Sequence, residues 1–163
     1  MRMRILIDAD GCPVVDIPVS LSREYKIPCV ILCDTAHEFR QPDIETLIVD
    51  KGSDSVDYAI ANRVQPGDIV VTQDYGLAAM CLARQASVVH QDGCMYTDRN
   101  IDQLLYQRHT ARKLRNAGVP MKGPKKRTRQ QDAAFVAALK QLLTPQSRDT
   151  APAVPDQRSS TPR

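Results

Sequence analysis

Two apolar runs in the chain end in aspartates. Ile5-Leu6-Ile7 leads into Asp8-Ala9-Asp10, and Ile69-Val70-Val71 leads through Thr72-Gln73 to Asp74. Short β-branched runs of this kind are the pattern of strands buried on both faces of a parallel sheet. In an open α/β sheet the ligand crevice lies beyond the carboxyl ends of the strands. Carboxylates delivered there from separate strands repel one another unless a positive charge lies between them. A hard divalent cation, Mg²⁺ or Mn²⁺, is the expected one. Held this way, a cation polarises a phosphoryl oxygen, lowers the pKa of an attacking water and steadies the leaving oxygen, which is the chemistry of phosphodiester hydrolysis.

Asp54, Asp57 and Asp92 also fall at strand ends or in first helical turns. Each has an ordinary explanation. Aspartate at a cap or first turn satisfies free N–H groups and complements the helix dipole. Asp92 before Gly93 suits a turn. Asp8 and Asp74 are harder to account for in this way, because an unpaired carboxylate beside apolar strand residues is costly. Cys12 stands beside the first aspartates at an expected helix start, where a thiolate is favoured. The commoner reading is a packed thiol, which is also the reading for most of Cys29, Cys33, Cys81 and Cys94. No CxxC pair suggests a zinc site.

These residues are positioned by alternating strand and helix signals, which argue for a parallel sheet. Strands are expected over 4–8, 28–33, 46–49, 68–72 and 86–90, and helices over 13–25, 54–64 and 75–84. Pro13 suits a first helical turn, whereas Pro18 implies a kink or a late start. Asn100 and Gln103 have the spacing of a capping box opening a helix to about 116, with Gly118 as its stop. Thr128 and Gln131 form a second such signature, opening a helix to about 143 with Phe135, Leu139 and Leu142 on one face. The expected fold is a three-layer α/β sandwich with a central, mostly parallel sheet and a helical C-terminal extension. One domain spans 1–143, including a basic helical segment over 100–143. Residues 144–163, rich in Pro, Ser, Thr, Gln and Ala, form an expected disordered tail.

The 163 residues are enough for one domain with a sizeable core. No apolar run approaches the ~20 residues of a membrane span, and the start of the chain has no signal-peptide pattern, so a cytoplasmic protein without membrane partners is expected. The net charge of +3 conceals a segregation. Residues 1–107 carry nine Lys/Arg against sixteen Asp/Glu, whereas residues 108–129 carry nine Lys/Arg and no acid. Arg108, Arg112 and Arg115 continue the helix face begun by Ile101, Leu104 and Leu105. Lys122, Lys125, Lys126, Arg127 and Arg129 follow. Such a run is commonly a solvated surface. Yet Arg127 and Arg129 flank the start of a helix, where the dipole disfavours cations unless an anion binds between them. A phosphate backbone would fit, with nucleic acid as partner. Tyr75, beside Asp74, is placed either to stack on a base or to pack near the sheet.

Four stretches together resemble the YaiI/YqxD family of bacterial proteins. They are Asp8-Ala9-Asp10-Gly11-Cys12-Pro13-Val14, Gly52-Ser53-Asp54-Ser55-Val56-Asp57-Tyr58, the run from Gly67 to Ala78, and Gly123-Pro124-Lys125-Lys126-Arg127-Thr128. Gly11 departs from the alanine expected there. The resemblance covers the chain from about Met3 to Leu143 and extends to the wider PIN-like group, whose fold is a parallel sheet flanked by helices. It implies a metal-dependent nuclease site. Asp8 matches the acid after the first strand, Asp57 (with Asp54 as alternative) the middle-helix acid, and Asp74, after Thr72, the later one; Asp10 and Asp92 are supporting residues. The expected activity is Mg- or Mn-dependent hydrolysis of RNA. Two alternatives stand beside it. One is a nucleic-acid-binding protein or adaptor without turnover. The other, ranked lower, is a phosphatase of the haloacid-dehalogenase kind with Asp8 as nucleophile, to which Asp8-Ala9-Asp10-Gly11 bears some likeness.

Overall fold

The computed structural model describes residues 2–34, 43–51, 55–120 and 126–144. Asp54, Lys122, Lys125 and the segment 145–163 therefore lie outside the described residues. The strands are β1 (Ile5–Asp8), β2 (Cys29–Asp34), β3 (Glu45–Val49), β4 (Ile69–Val71), β5 (Ser87–Val89) and β6 (Met95–Tyr96). The helices are α1 (Asp16–Tyr25), α2 (Ser55–Arg63), α3 (Tyr75–Ala83), α4 (Ile101–Asn116) and α5 (Arg129–Leu143). The sheet order is β3-β2-β1-β4-β5-β6. The pairs are parallel except β5 with β6.

Strand alternation divides the core in two. Ile5, Ile7, Ile31, Val71 and Val89 face α1 and α5, where they meet Val19, Phe135 and Leu139. Leu6, Leu32, Val70 and Val88 face α2 and α3, where they meet Ile60, Leu77 and the first residue of α4, Ile101. The result is the expected three-layer α/β sandwich. Burial on both faces explains why β1, β2 and β4 are apolar without polar alternation. The chain moves from β1 to β2 and β3 on one side, then crosses by α2 to β4 on the other side of β1. The winding thus reverses between β1 and β4, which opens a crevice at their carboxyl ends. Ile7 is in register with Val71, so Asp8 and Thr72 end neighbouring strands at the same level.

Helix α1 begins at Asp16, not at 13. Pro13 lies in the turn before it, after a single 3-10 turn at Ala9–Gly11. Pro18 falls in the first turn of α1, where a missing N–H breaks no helical bond, so the late start replaces a kink. Thr128 and Gln131 form the expected capping box. Asn100 and Gln103 do not: the Asn100 carbonyl Oδ1 accepts from the Thr97 N–H at 2.9 Å, and its Nδ2 donates to the Met95 carbonyl at 2.8 Å. Its side chain ties β6 to α4 and makes no bond to the helix end. Gly118 is the expected stop, at φ +79°, with the Val119 N–H bonded to the Leu114 carbonyl and the Gly118 N–H to that of Arg115. Strand β6 was not anticipated, since two residues carry no periodicity. Among the described residues no helix is long and apolar enough to cross a membrane.

Candidate functional site

The reversal point places Asp8 at the end of β1 with only 5% of its surface exposed. Its Oδ2 accepts a hydrogen bond from the Thr72 hydroxyl at 2.8 Å. The same hydroxyl oxygen accepts from the Asp74 backbone N–H at 3.0 Å. Asp74 caps α3, its Oδ1 accepting from the Leu77 N–H at 3.0 Å, and the Arg108 Nη1 lies 3.4 Å from that same oxygen. Asp8, Thr72, Asp74 and Arg108 thus form one connected set drawn from β1, the β4–α3 turn and α4.

Asp57, on the first turn of α2, shares a cleft of about 250 Å³ with Asp74 and Arg108. Tyr58 and Met80 stand at its rim, both exposed. Gly76 makes room for the charged pair. A Cβ at this position would lie 3.2 Å from Asp74 Oδ1 and 3.9 Å from Arg108 Nη1. Cys81, buried on α3, lies within electrostatic reach of Asp57 and Asp8. Burial pushes its thiol up to about 12, and the charges of Asp57 and Asp8 push the same way.

The other acids are placed differently. Asp10 is exposed, and its Oδ1 accepts from the Asp34 N–H at 3.4 Å, joining the ends of β1 and β2. Asp92 lies in the β5–β6 turn, 3.4 Å from both Arg127 Nη1 and His90 Nδ1. Among the described residues no three His, Cys, Asp or Glu are grouped as a ready-made metal cage.

The basic segment divides into two parts. Arg127 is half-buried and engaged within the protein. Its Nε reaches Asp132 Oδ1 at 2.5 Å, Nη1 reaches Asp92, and Nη2 donates to the Gln91 carbonyl at 2.6 Å. The anion expected near Arg127 at the start of α5 is therefore the helix's own Asp132, joined by Asp92. Lys126 and Arg129 are exposed. Arg112 and Arg115 are exposed on α4, in line with Arg108.

Two side chains that the sequence left with two readings take the packed one. Cys12 is buried, and burial pushes its thiol up to about 11, so it is a packed thiol and not a favoured thiolate. Tyr75 is partly buried and meets Tyr96 edge to face, with ring centroids 5.9 Å apart. The ring presented to solvent at the cleft is Tyr58, 62% exposed. Its exposure was legible, because Val56 and Ile60 face the core and the intervening residue of a helix must then point outward. The Arg108–Asp74 pair carried no local signal.

Comparison with known proteins agrees on one family. The family model described as "Uncharacterized BCR, YaiI/YqxD family" matches residues 6–145. The UPF0178 protein of Exiguobacterium sibiricum is 54% identical over 142 residues, covering 87% of this chain and 97% of that protein. The UPF0178 protein of Ruminiclostridium cellulolyticum is 47% identical over 145 residues, covering 89% and 95%. That of Clostridium acetobutylicum is 46% identical over 143 residues, covering 86% and 97%. No solved structure matches the chain. A match over most of the length at this identity takes in β1, β4, α4 and α5, the elements that carry the cleft and its basic flank, and the chain belongs to the YaiI/YqxD family.

Proposed function

We propose that this protein is a Mg²⁺- or Mn²⁺-dependent nuclease that hydrolyses phosphodiester bonds in RNA. The carrying observation is the convergence of Asp57, Asp74 and Arg108 on one open cleft, beside the reversal point where Asp8 ends β1. Mg²⁺ is commonly held by one or two carboxylates, with water and substrate phosphate completing the shell. Asp57 and Asp74 fit that requirement without a closed cage. Asp8, through Thr72, fixes the turn that presents Asp74, while Arg108 offers a guanidinium to a phosphate oxygen. A bound cation would polarise the phosphoryl group and lower the pKa of an attacking water. The three-layer sandwich and the three acid positions also support a likeness to PIN-like nucleases, with Asp54 as the alternative on the middle helix and Asp10 and Asp92 in support.

The test is cleavage of single- and double-stranded RNA and DNA with Mg²⁺ or Mn²⁺, comparing the wild type with Asp8→Asn and Asp74→Asn. Loss of turnover in both variants, with the fold retained by circular dichroism, is expected. Activity surviving both substitutions would sink the site. One observation favours a second reading: Arg112 and Arg115 are exposed on α4, whereas Asp74 is occupied by the cap and Arg108. On that reading the protein binds nucleic acid in a salt-dependent way without turnover. A phosphatase with Asp8 as nucleophile gains no support from a carboxylate so little exposed. A cytoplasmic location accords with an RNA substrate.

A further inference from the structure

Resting on that reading, we infer that the cleft takes single-stranded RNA, with one unpaired base against the Tyr58 ring and the backbone running along the Arg108, Arg112 and Arg115 face of α4. Three observations meet here. The first is the half of α4 beyond Leu105. Ile101 is buried and Leu104 and Leu105 are partly so, but the face they begin continues as Arg108, Ala111, Arg112 and Arg115. From Arg108 to Asn116 every residue except Ala111 is exposed, which leaves about 12 Å of helix free of the core at the usual rise. An apolar stripe that turns cationic where it leaves the body is shaped for a polyanion. Among the described residues neither Arg112 nor Arg115 has a carboxylate partner.

The second observation is Arg108 itself. Its Nη1 lies 3.4 Å from Asp74, which is long for a charge-assisted bond, and a guanidinium has further donors to offer. It joins the cationic face to the cleft. The third is Tyr58, whose ring is exposed at the rim of the same cleft. An aromatic face accepts any base by stacking, but only a base already free of its own stack. A duplex can use the arginines but not the ring.

The experiment measures binding separately from cleavage. Fluorescence anisotropy is recorded with a labelled twelve-nucleotide RNA of mixed sequence, first in EDTA and again with Ca²⁺ in place of Mg²⁺. A blunt RNA duplex of the same sequence serves as comparator. Tyr58→Ala should weaken single-strand binding roughly tenfold, within the usual worth of one stacked base. Tyr58→Phe should restore it, and duplex binding should not respond to either change. Arg112→Gln with Arg115→Gln should weaken both ligands and reduce the salt slope for the single strand by about 1.4. The inference is overturned by equal single-strand affinity in wild type and Tyr58→Ala, by duplex binding as tight as the single strand, or by no saturable binding in either condition. Intact, Tyr58-dependent binding with no hydrolysis in Mg²⁺ or Mn²⁺ would end the nuclease proposal and leave this one standing.

Discussion

A carboxylate at the end of a buried strand needs its charge answered locally, and Thr72 answers that of Asp8. The hydroxyl also receives the Asp74 N–H, so one side chain serves two backbone segments. Thr72→Val keeps the shape and removes both functions. Losing the hydrogen bond to the buried carboxylate and the acceptor of the Asp74 N–H should lower unfolding stability by about 1.5–3 kcal/mol, measured by urea titration, and Thr72→Ser should recover most of it. His90 supplies a pH dependence. Its Nδ1 accepts from the Asp92 N–H at 3.0 Å, which only the neutral ring can do. Burial holds its pKa below the ordinary 6.5; Arg127 acts the same way and Asp92 opposes it. The unfolded chain then binds the proton more readily. The stability from this group is complete above about pH 6.5 and is lost as the pH falls through the lower folded value. The melting temperature should drop between pH 7.5 and 5.5, and His90→Asn should flatten that slope; an unchanged slope would remove His90 as its source. At this scale the sequence carried the acids but not their partners. Asp8 with Thr72 and Asp74 with Arg108 are pairs formed across distant segments, which no local spacing encodes.

At the scale of elements, what was legible was what repeats. Apolar runs marked β1, β2 and β4, and Thr128 with Gln131 marked the start of α5, because each is a local pattern with its own physical cause. Helix α1 starts three residues after Pro13 because 13–15 form a turn, and proline suits a turn as well as it suits a first helical turn. The docking of α5 on the β5–β6 turn was also invisible, although its requirement is severe. Gly93 has φ +85°, and a Cβ there would stand 2.5 Å from the Ala134 carbonyl carbon. Arg127 clamps the same turn to the start of α5 through Asp92, the Gln91 carbonyl and Asp132. Gly93→Ala combines a left-handed backbone with a backbone overlap. It should destabilise the fold by at least about 2 kcal/mol, whereas Gly118→Ala, whose Cβ meets nothing within 4 Å, should cost only the backbone strain. Chemical denaturation of the two variants side by side checks this. Equal losses would mean that α5 can shift to admit the methyl group.

At the scale of the whole molecule, the charge segregation was plain in the sequence but its meaning was not. The basic segment separates into Arg127, which holds the protein together, and the α4 arginines, which face outward. No composition distinguishes these roles, because the difference lies in where Asp92 and Asp132 stand. The same elements decide how much chain makes one domain. Helix α5 lies against α1 on the face of the sheet that carries Ile7, Val71 and Val89, and it buries Phe135, Leu139 and Leu143 there. Each such side chain contributes about 1.5–3 kcal/mol on burial, so three of them are comparable with the whole stability of a typical small domain. A chain ended after Gly118 should therefore lose its cooperative thermal transition, while a chain ended after Thr144 should melt within a few degrees of the full sequence. Scanning calorimetry of the two truncations separates the cases. A cooperative transition in the shorter chain would mean that the five-strand parallel core is a domain by itself and that α5 only covers it. In that event the Arg127 clamp would serve the cleft's surroundings and not the stability of the fold.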